Sequence, residues 1–249
     1  MRKSLNQHIL EILLLLFLTI SLYSCKQITK VSANEIVEKS VEFHGGLKLW
    51  KQNNSLKFDK KIILYTRDGT IESKQIQYQK FDYKNGLSGE LKWLKDRNKI
   101  SIRYKEGKVF KRINDSIITS KEELKSAENA FFSAHYVVNQ PFKLLEDAAI
   151  LSYVGLEIID NKKTHVVQVG YVNDTETSDK WFYYFDSKTY QLMATKVIHG
   201  DTVSIIKNIS YDTSTGLLFN HHRKSYFLKP SGEEDYLRAE YFYTNFHIE

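Results

Sequence analysis

The chain has 249 residues, with 36 Lys and Arg against 30 Asp and Glu and a formal net charge of +6. A surplus that small does not by itself call for nucleic acid, and a single cysteine excludes an internal disulfide. Two prolines and eleven glycines leave no Pro- or Gly-rich linker to split the chain, while 16 Tyr and 14 Phe favour strands.

Met1-Arg2-Lys3 followed by the apolar run Ile9 to Leu22, broken once by Glu11, has the pattern of a secretory signal. Its almost purely aliphatic part, Ile12 to Leu22, is shorter than the roughly 20 apolar residues an ordinary membrane-spanning helix needs. Leu22-Tyr23-Ser24-Cys25 resembles the lipobox of bacterial lipoproteins, with a bulkier middle residue than usual. That resemblance implies a signal peptide over residues 1–24, lipid on Cys25 and a short tether over 25–31. Two or more acyl chains would hold the protein on a membrane, since each buried methylene contributes about 0.8 kcal/mol. No acidic cluster follows Cys25, and Lys26 stands next to it, so the expected place is the outer membrane facing the periplasm. Without residues 1–24 the chain keeps 34 basic against 29 acidic residues, net +5. That compartment disfavours nucleic acid as a partner and leaves the oligomeric state open.

Ser32-Ala33-Asn34-Glu35 is a capping box. It predicts a helix over 33–44, ended by Gly45-Gly46 and followed by a further turn from Leu47 to Trp50. Leu56, Phe58, Ile62 and Leu64 then alternate with Lys57, Asp59 and Lys61, a period of two. Asp68-Gly69 predicts a hairpin, with the return strand over 70–81 and further strands over 89–94, 99–104 and 108–113. A second capping box, Ser120 to Glu123, opens a helix whose apolar face runs through Leu124, Ala127, Phe131 and Phe132 toward Tyr136. Asn139-Gln140-Pro141 stops it, and residues 142–147 make another short helical turn. Strands follow over 151–159, 164–172, 180–185, 191–198, 203–211, 217–228 and 236–248, with turn signals every 8–12 residues or so. Residues 32–249 therefore read as one mainly β domain. Its expected architecture is a curled antiparallel sheet of about 10–11 strands forming an incomplete barrel, with the N-terminal helix and the helical insert over its open side.

That order of elements, with a lipobox in front, resembles the LolA/LolB-like superfamily of outer-membrane lipoprotein carriers. Within it the chain resembles a Bacteroidetes-type lipoprotein group, itself without an established function. The residues that carry the likeness are Phe43-His44-Gly45-Gly46 with Trp50, Gln140 to Leu145, Tyr153 to Glu157, Trp181 to Asp186, Asn208 to Tyr211 and His221 to Lys224. The resemblance implies a half-barrel around an apolar cavity and a ligand that is a lipid or an acylated protein. It implies no cofactor.

Catalytic signatures are missing from the sequence. No Gly-x-Ser-x-Gly, phosphate loop or dinucleotide fingerprint occurs. His221 and His222 are neighbours on a predicted strand and so point to opposite faces, which does not suit a shared metal. The acids Glu122-Glu123 and Glu233-Glu234-Asp235 sit at a helix start and a turn. His44-Gly45-Gly46 reads as a helix end or as a polar group at a cavity mouth. Trp181 to Phe185 is apolar on both alternating faces, with Trp181, Tyr183 and Phe185 on one side and Phe182 and Tyr184 on the other. The expected ligand-binding set is Trp181, Tyr183 and Phe185 with the lid residues Phe131, Phe132, Tyr136 and Phe142. The expected function is binding of an apolar ligand without catalysis; the alternative is a structural or interaction lipoprotein with a filled core.

Overall fold

The computed structural model describes residues 31–146 and 148–249; the signal segment, Cys25 and the tether up to residue 30 lie outside the described residues. Ser32 caps α1 (Ala33–Phe43), its Oγ accepting from the Glu35 amide at 3.1 Å. Gly45 and Gly46 follow at φ +111° and +84°, a conformation that suits glycine, before the short α2 (Leu47–Gln52). One meander comes next: β1 (Ser55–Tyr65), β2 (Ile71–Asp82), β3 (Ser88–Lys95), β4 (Asn98–Lys105), β5 (Lys108–Ile113) and β6 (Ser116–Ile118). Helix α3 (Lys121–Val138), capped by Ser120, and a 3-10 turn (Phe142–Leu145) interrupt the strands. A second meander completes the chain: β7 (Ala149–Ile159), β8 (Lys162–Tyr171), β9 (Lys180–Asp186), β10 (Leu192–His199), β11 (Thr202–Asp212), β12 (Phe219–Leu228) and β13 (Glu234–Ile248).

All thirteen strands form one antiparallel sheet in the order β6-β5-β4-β3-β2-β1-β13-β12-β11-β10-β9-β8-β7, not closed into a barrel. The expected mainly β, curled and open architecture is therefore present, with more strands than the 10–11 anticipated. The three-residue β6 is too short to show alternation in sequence. Among the described residues, one strand pairing joins distant parts of the chain: β1 against β13, from Leu56↔Ile248 to Leu64↔Ala239. The two meanders are otherwise nearest-neighbour hairpins. The first turns at Asp68, whose carboxylate accepts from Thr66 and Thr70 and is held down to about 2 by those bonds.

Cross-strand register sorts the side chains onto two faces. Leu56–Phe81–Gly89–Tyr104 and Phe58–Gln79–Leu91–Ile102 lie on the inner face, which the helices cover. The main core forms there, from Leu56, Phe58, Phe81, Leu91, Ile102, Phe219 and Tyr243 against Val41, Ala127, Phe131, Val138 and Phe142. Ser32–Glu249 makes a compact unit with this core entirely inside it. A second, smaller cluster of Val166, Tyr184, Ala194 and Ile205 sits across β8–β11.

Helix α3 packs tightly on the sheet over Gly89, through Phe131. A methyl at this position would stand 2.3 Å from the Lys80 carbonyl oxygen and 3.1 Å from Phe131 Cε2. Gly89→Ala is expected to destabilise the fold by about 2–3 kcal/mol, because backbone on one side and a packed ring on the other leave the methyl nowhere to go. Urea unfolding measures it, and an unchanged midpoint would show that β3 and α3 separate here at no cost.

Candidate functional site

The inner face holds most of the aromatic residues anticipated as ligand-binding. Trp181, Tyr183 and Phe185 of β9 share it, opposite Val169, Val167 and His165 of β8. Phe182 and Tyr184 point the other way. Tyr183 and Phe185 are fully buried and Trp181 is half-buried. The Tyr183 hydroxyl meets the Tyr136 hydroxyl of α3 at 2.7 Å and accepts from Gln140 Nε2 at 3.0 Å, while Tyr171 donates to Tyr136 at 2.5 Å. Burial raises the pKa of all three phenols, so they stay neutral donors and acceptors. Tyr136 and Tyr183 are thus brought together. Phe131 is buried between Phe81 and Tyr104, at ring separations of 5.4 and 5.1 Å. Phe142 stacks on Trp50 at 4.8 Å, and Phe132 is exposed at the surface of α3. Phe132 and Tyr136 help line a small cavity of about 240 Å³ between α3 and the segment around Lys143 and Glu146.

Two buried histidines flank this interior. His44 Nδ1–H donates to the Ser40 carbonyl at 2.7 Å, and burial lowers the ring's pKa to about 4. His44 therefore closes helix α1 on the inside of the fold. His135 of α3 lies against the Phe81 and Tyr83 rings with Nε2 unpartnered, and burial, with Lys143 nearby, lowers its pKa to about 3. The buried Arg223 donates from Nε to Asn208 Oδ1 at 2.8 Å, an amide in place of a carboxylate. Burial opposes ionisation of the neighbouring Tyr243 hydroxyl, but Lys60 and Arg223 beside it outweigh that and hold its pKa below the usual phenol value. His221 and His222 separate as expected for adjacent strand residues: one reaches the Tyr243 carbonyl, the other Glu240. Among the described residues no group of three His, Cys, Asp or Glu is placed to hold a metal, and no helix is long and apolar enough to cross a membrane.

A larger recess lies elsewhere, on the outer face of β1–β6. It is a half-open trough of about 1250 Å³. Cross-strand pairs make most of it: Lys61–Ile76, Leu94–Lys99 and the row Asp59–Tyr78–Lys92–Ser101–Arg112–Ile117. Ile76, Leu94 and Ile117 are 65, 64 and 60% exposed, and Phe110 beside them is also exposed. Strand β2 explains how apolar side chains come to face outward. Gln75, Gln77 and Gln79 occupy the inner face in a ladder, Gln79 donating to Gln77 at 2.7 Å and Gln77 to Gln75 at 3.1 Å. Their amides satisfy one another, so the polar residues of this strand turn in and Ile76 and Tyr78 turn out. Sequence reasoning missed the trough because it gave this strand its bounds, 70–81, without sorting its side chains onto faces. The available signal was the run Gln75-Ile76-Gln77-Tyr78-Gln79, uncharged on both faces.

Residues 11–204 match a family described as a family of unknown function, DUF6503. The chain belongs to that family. The DUF6503 match stops inside β11, so β12 and β13 lie beyond it. No curated protein matches the sequence. The fold of this DUF6503 chain is similar to that of a LolA superfamily protein from Nitrosomonas europaea, at 11% identity and a TM-score of 0.55 over 88% of this chain and 94% of that one. It is also similar to a DUF1329 family protein from Desulfovibrio piger, at 10% identity and a TM-score of 0.56 over 88% and 93%. A domain from Vibrio parahaemolyticus, assigned to outer-membrane lipoprotein sorting, matches at 9% identity and a TM-score of 0.50 over 86% and 93%. At such identities the likeness is one of fold.

Proposed function

We propose that this protein is a non-catalytic, membrane-tethered lipoprotein of the cell envelope that binds an apolar ligand, a lipid or an acylated protein. The observation that carries the reading is the trough: exposed aliphatic side chains recessed on a sheet of the LolA-superfamily fold. The aliphatic side chains there gain by being covered, at about 25 cal/mol per Å² of apolar surface removed from water. The set Trp181, Tyr183, Phe185, Phe131, Phe132, Tyr136 and Phe142 would join the ligand only if α3 swung away, breaking the Tyr136–Tyr183 contact. The tether would be the lipid on Cys25, on the outer membrane facing the periplasm.

A second reading has its own observation. Tyr183, Phe185, Phe131 and Phe142 are packed solid and Tyr183 is fully hydrogen-bonded, which suits an interaction lipoprotein with a filled core. Native mass spectrometry of residues 32–249 purified from bacterial cells, followed by organic extraction, separates the two. A stoichiometric extra mass released as lipid is the expected result. An empty protein that also ignores a fluorescent fatty-acid probe would overturn the binding reading in favour of the second.

A further inference from the structure

We infer that the trough on the outer face of β1–β6 selects an anionic amphiphile, held one molecule at a time. The inference rests on the apolar-ligand reading and gives it a chemical class. Seven Lys and Arg line the trough against two carboxylates, Asp59 and Glu90. Glu90 is already shared by Lys92 at 2.5 Å and Arg103 at 3.6 Å, and Asp59 accepts from Asn245 at 2.7 Å. Among the described residues, Lys61, Lys74, Lys99 and Arg112 have no carboxylate within ion-pair reach. Two of these cations stand directly beside the apolar floor: Lys99 opposite Leu94, and Arg112 opposite Ile117.

Apolar and cationic groups therefore alternate within one recess. The aliphatic stems of the lysines extend the apolar lining while their ammonium ends reach the rim. An acidic peptide would answer the charges and leave Ile76, Leu94 and Ile117 wet. A neutral lipid would cover the aliphatics and leave the cations unanswered. A long chain with an anionic head answers both. The volume exceeds the roughly 300–1,000 Å³ of ordinary small-molecule pockets, which suits a long chain. A single chain lying along the half-open trough would cover Ile76, Leu94 and Ile117 together.

The test measures binding of monomeric dodecanoate and dodecanol to residues 32–249 by calorimetry, beside a Lys74→Gln/Lys99→Gln/Arg112→Gln variant. All three sites are on the surface, and far-UV circular dichroism checks that the variant is folded. The expected result is one-to-one binding of dodecanoate, about tenfold stronger than dodecanol. The variant is expected to lose about fivefold for dodecanoate and to leave dodecanol within about twofold, since only the anionic head answers the three exposed cations. Equal affinity for both probes overturns the anion preference and leaves apolar binding standing. Tight dodecanoate binding that the variant does not weaken moves the site away from the trough and overturns the inference. Silence toward both probes sinks this inference and the parent reading together. Binding only to phosphatidylglycerol vesicles would replace the single ligand with a membrane surface and overturn it as well.

Discussion

Acidification from pH 7 to pH 4 is expected to remove about 6 kcal/mol of folding stability through two side chains, His44 and His135. Burial holds the ring of His44 at about 4 and that of His135 at about 3, against about 6.5 in an unfolded chain. The folded state therefore binds a proton later than the unfolded state does. Stability from both rings is fully present above pH 6.5 and is lost as the pH falls through the folded values, at about 1.4 kcal/mol per pH unit for each ring. A loss of this size is comparable to the total stability of many domains, about 5–15 kcal/mol. Chemical denaturation at half-unit pH steps measures the slope. His135→Phe should roughly halve it, because that ring has an unpartnered Nε2 and lies among Phe81 and Tyr83. His44 would remain the second contributor through its bond to the Ser40 carbonyl. A stability profile that is flat between pH 6.5 and 4 would show that neither ring is shut off from water.

Removing the Phe131 ring is expected to cost about 3–5 kcal/mol, the usual range for deleting a buried phenylalanine side chain. The ring has no exposed surface, lies between Phe81 of β2 and Tyr104 of β4, and is the main bolt fixing α3 to the sheet. Phe132, one residue on, touches Tyr104 edge-on but is 38% exposed, so Phe132→Ala should cost less than about 1 kcal/mol. Urea unfolding of both variants, with amide exchange on α3, gives the comparison. If both cost the same, α3 is not docked through Phe131, and the helical cover is looser than its packing indicates.

Local chemistry makes much of the fold legible in the sequence. The serine of each capping box starts its helix as read: Ser32 and Ser120 accept from the amides of Glu35 and Glu123. The turn at Asp68-Gly69 and the alternation of Leu56 and Phe58 with charged neighbours are equally local. The site is less legible. Period-two patterning separates the two faces of a strand but does not say which of them the helices will cover. In β9 the pattern sorts Trp181, Tyr183 and Phe185 from Phe182 and Tyr184, yet it has no means of showing that Tyr183 spends its hydroxyl on Tyr136 and Gln140. In β2 the usual rule runs backwards, because glutamines bonded to one another tolerate burial and send Ile76 and Tyr78 to the outer face. Arg223 reads in sequence only as part of a basic cluster; its burial against Asn208 depends on pairing between β11 and β12 that no local signal announces.

The join between β1 and β13 has a consequence for how this chain reaches its fold. Each meander is assembled from neighbouring hairpins, so each can form from contacts that are close in sequence, the kind that form fast. The seam between them cannot. It needs the last fifteen-residue strand, and its final bonds run from the backbone of Glu249 to Asn54 and Ser55. Until β13 is in place, β1 and β12 both present raw edges with unpaired amides and carbonyls, which are templates for pairing with other chains. Folding thus commits only once β13 has joined the two meanders. A chain shortened by its last strand would have two half-sheets and nothing to zip them.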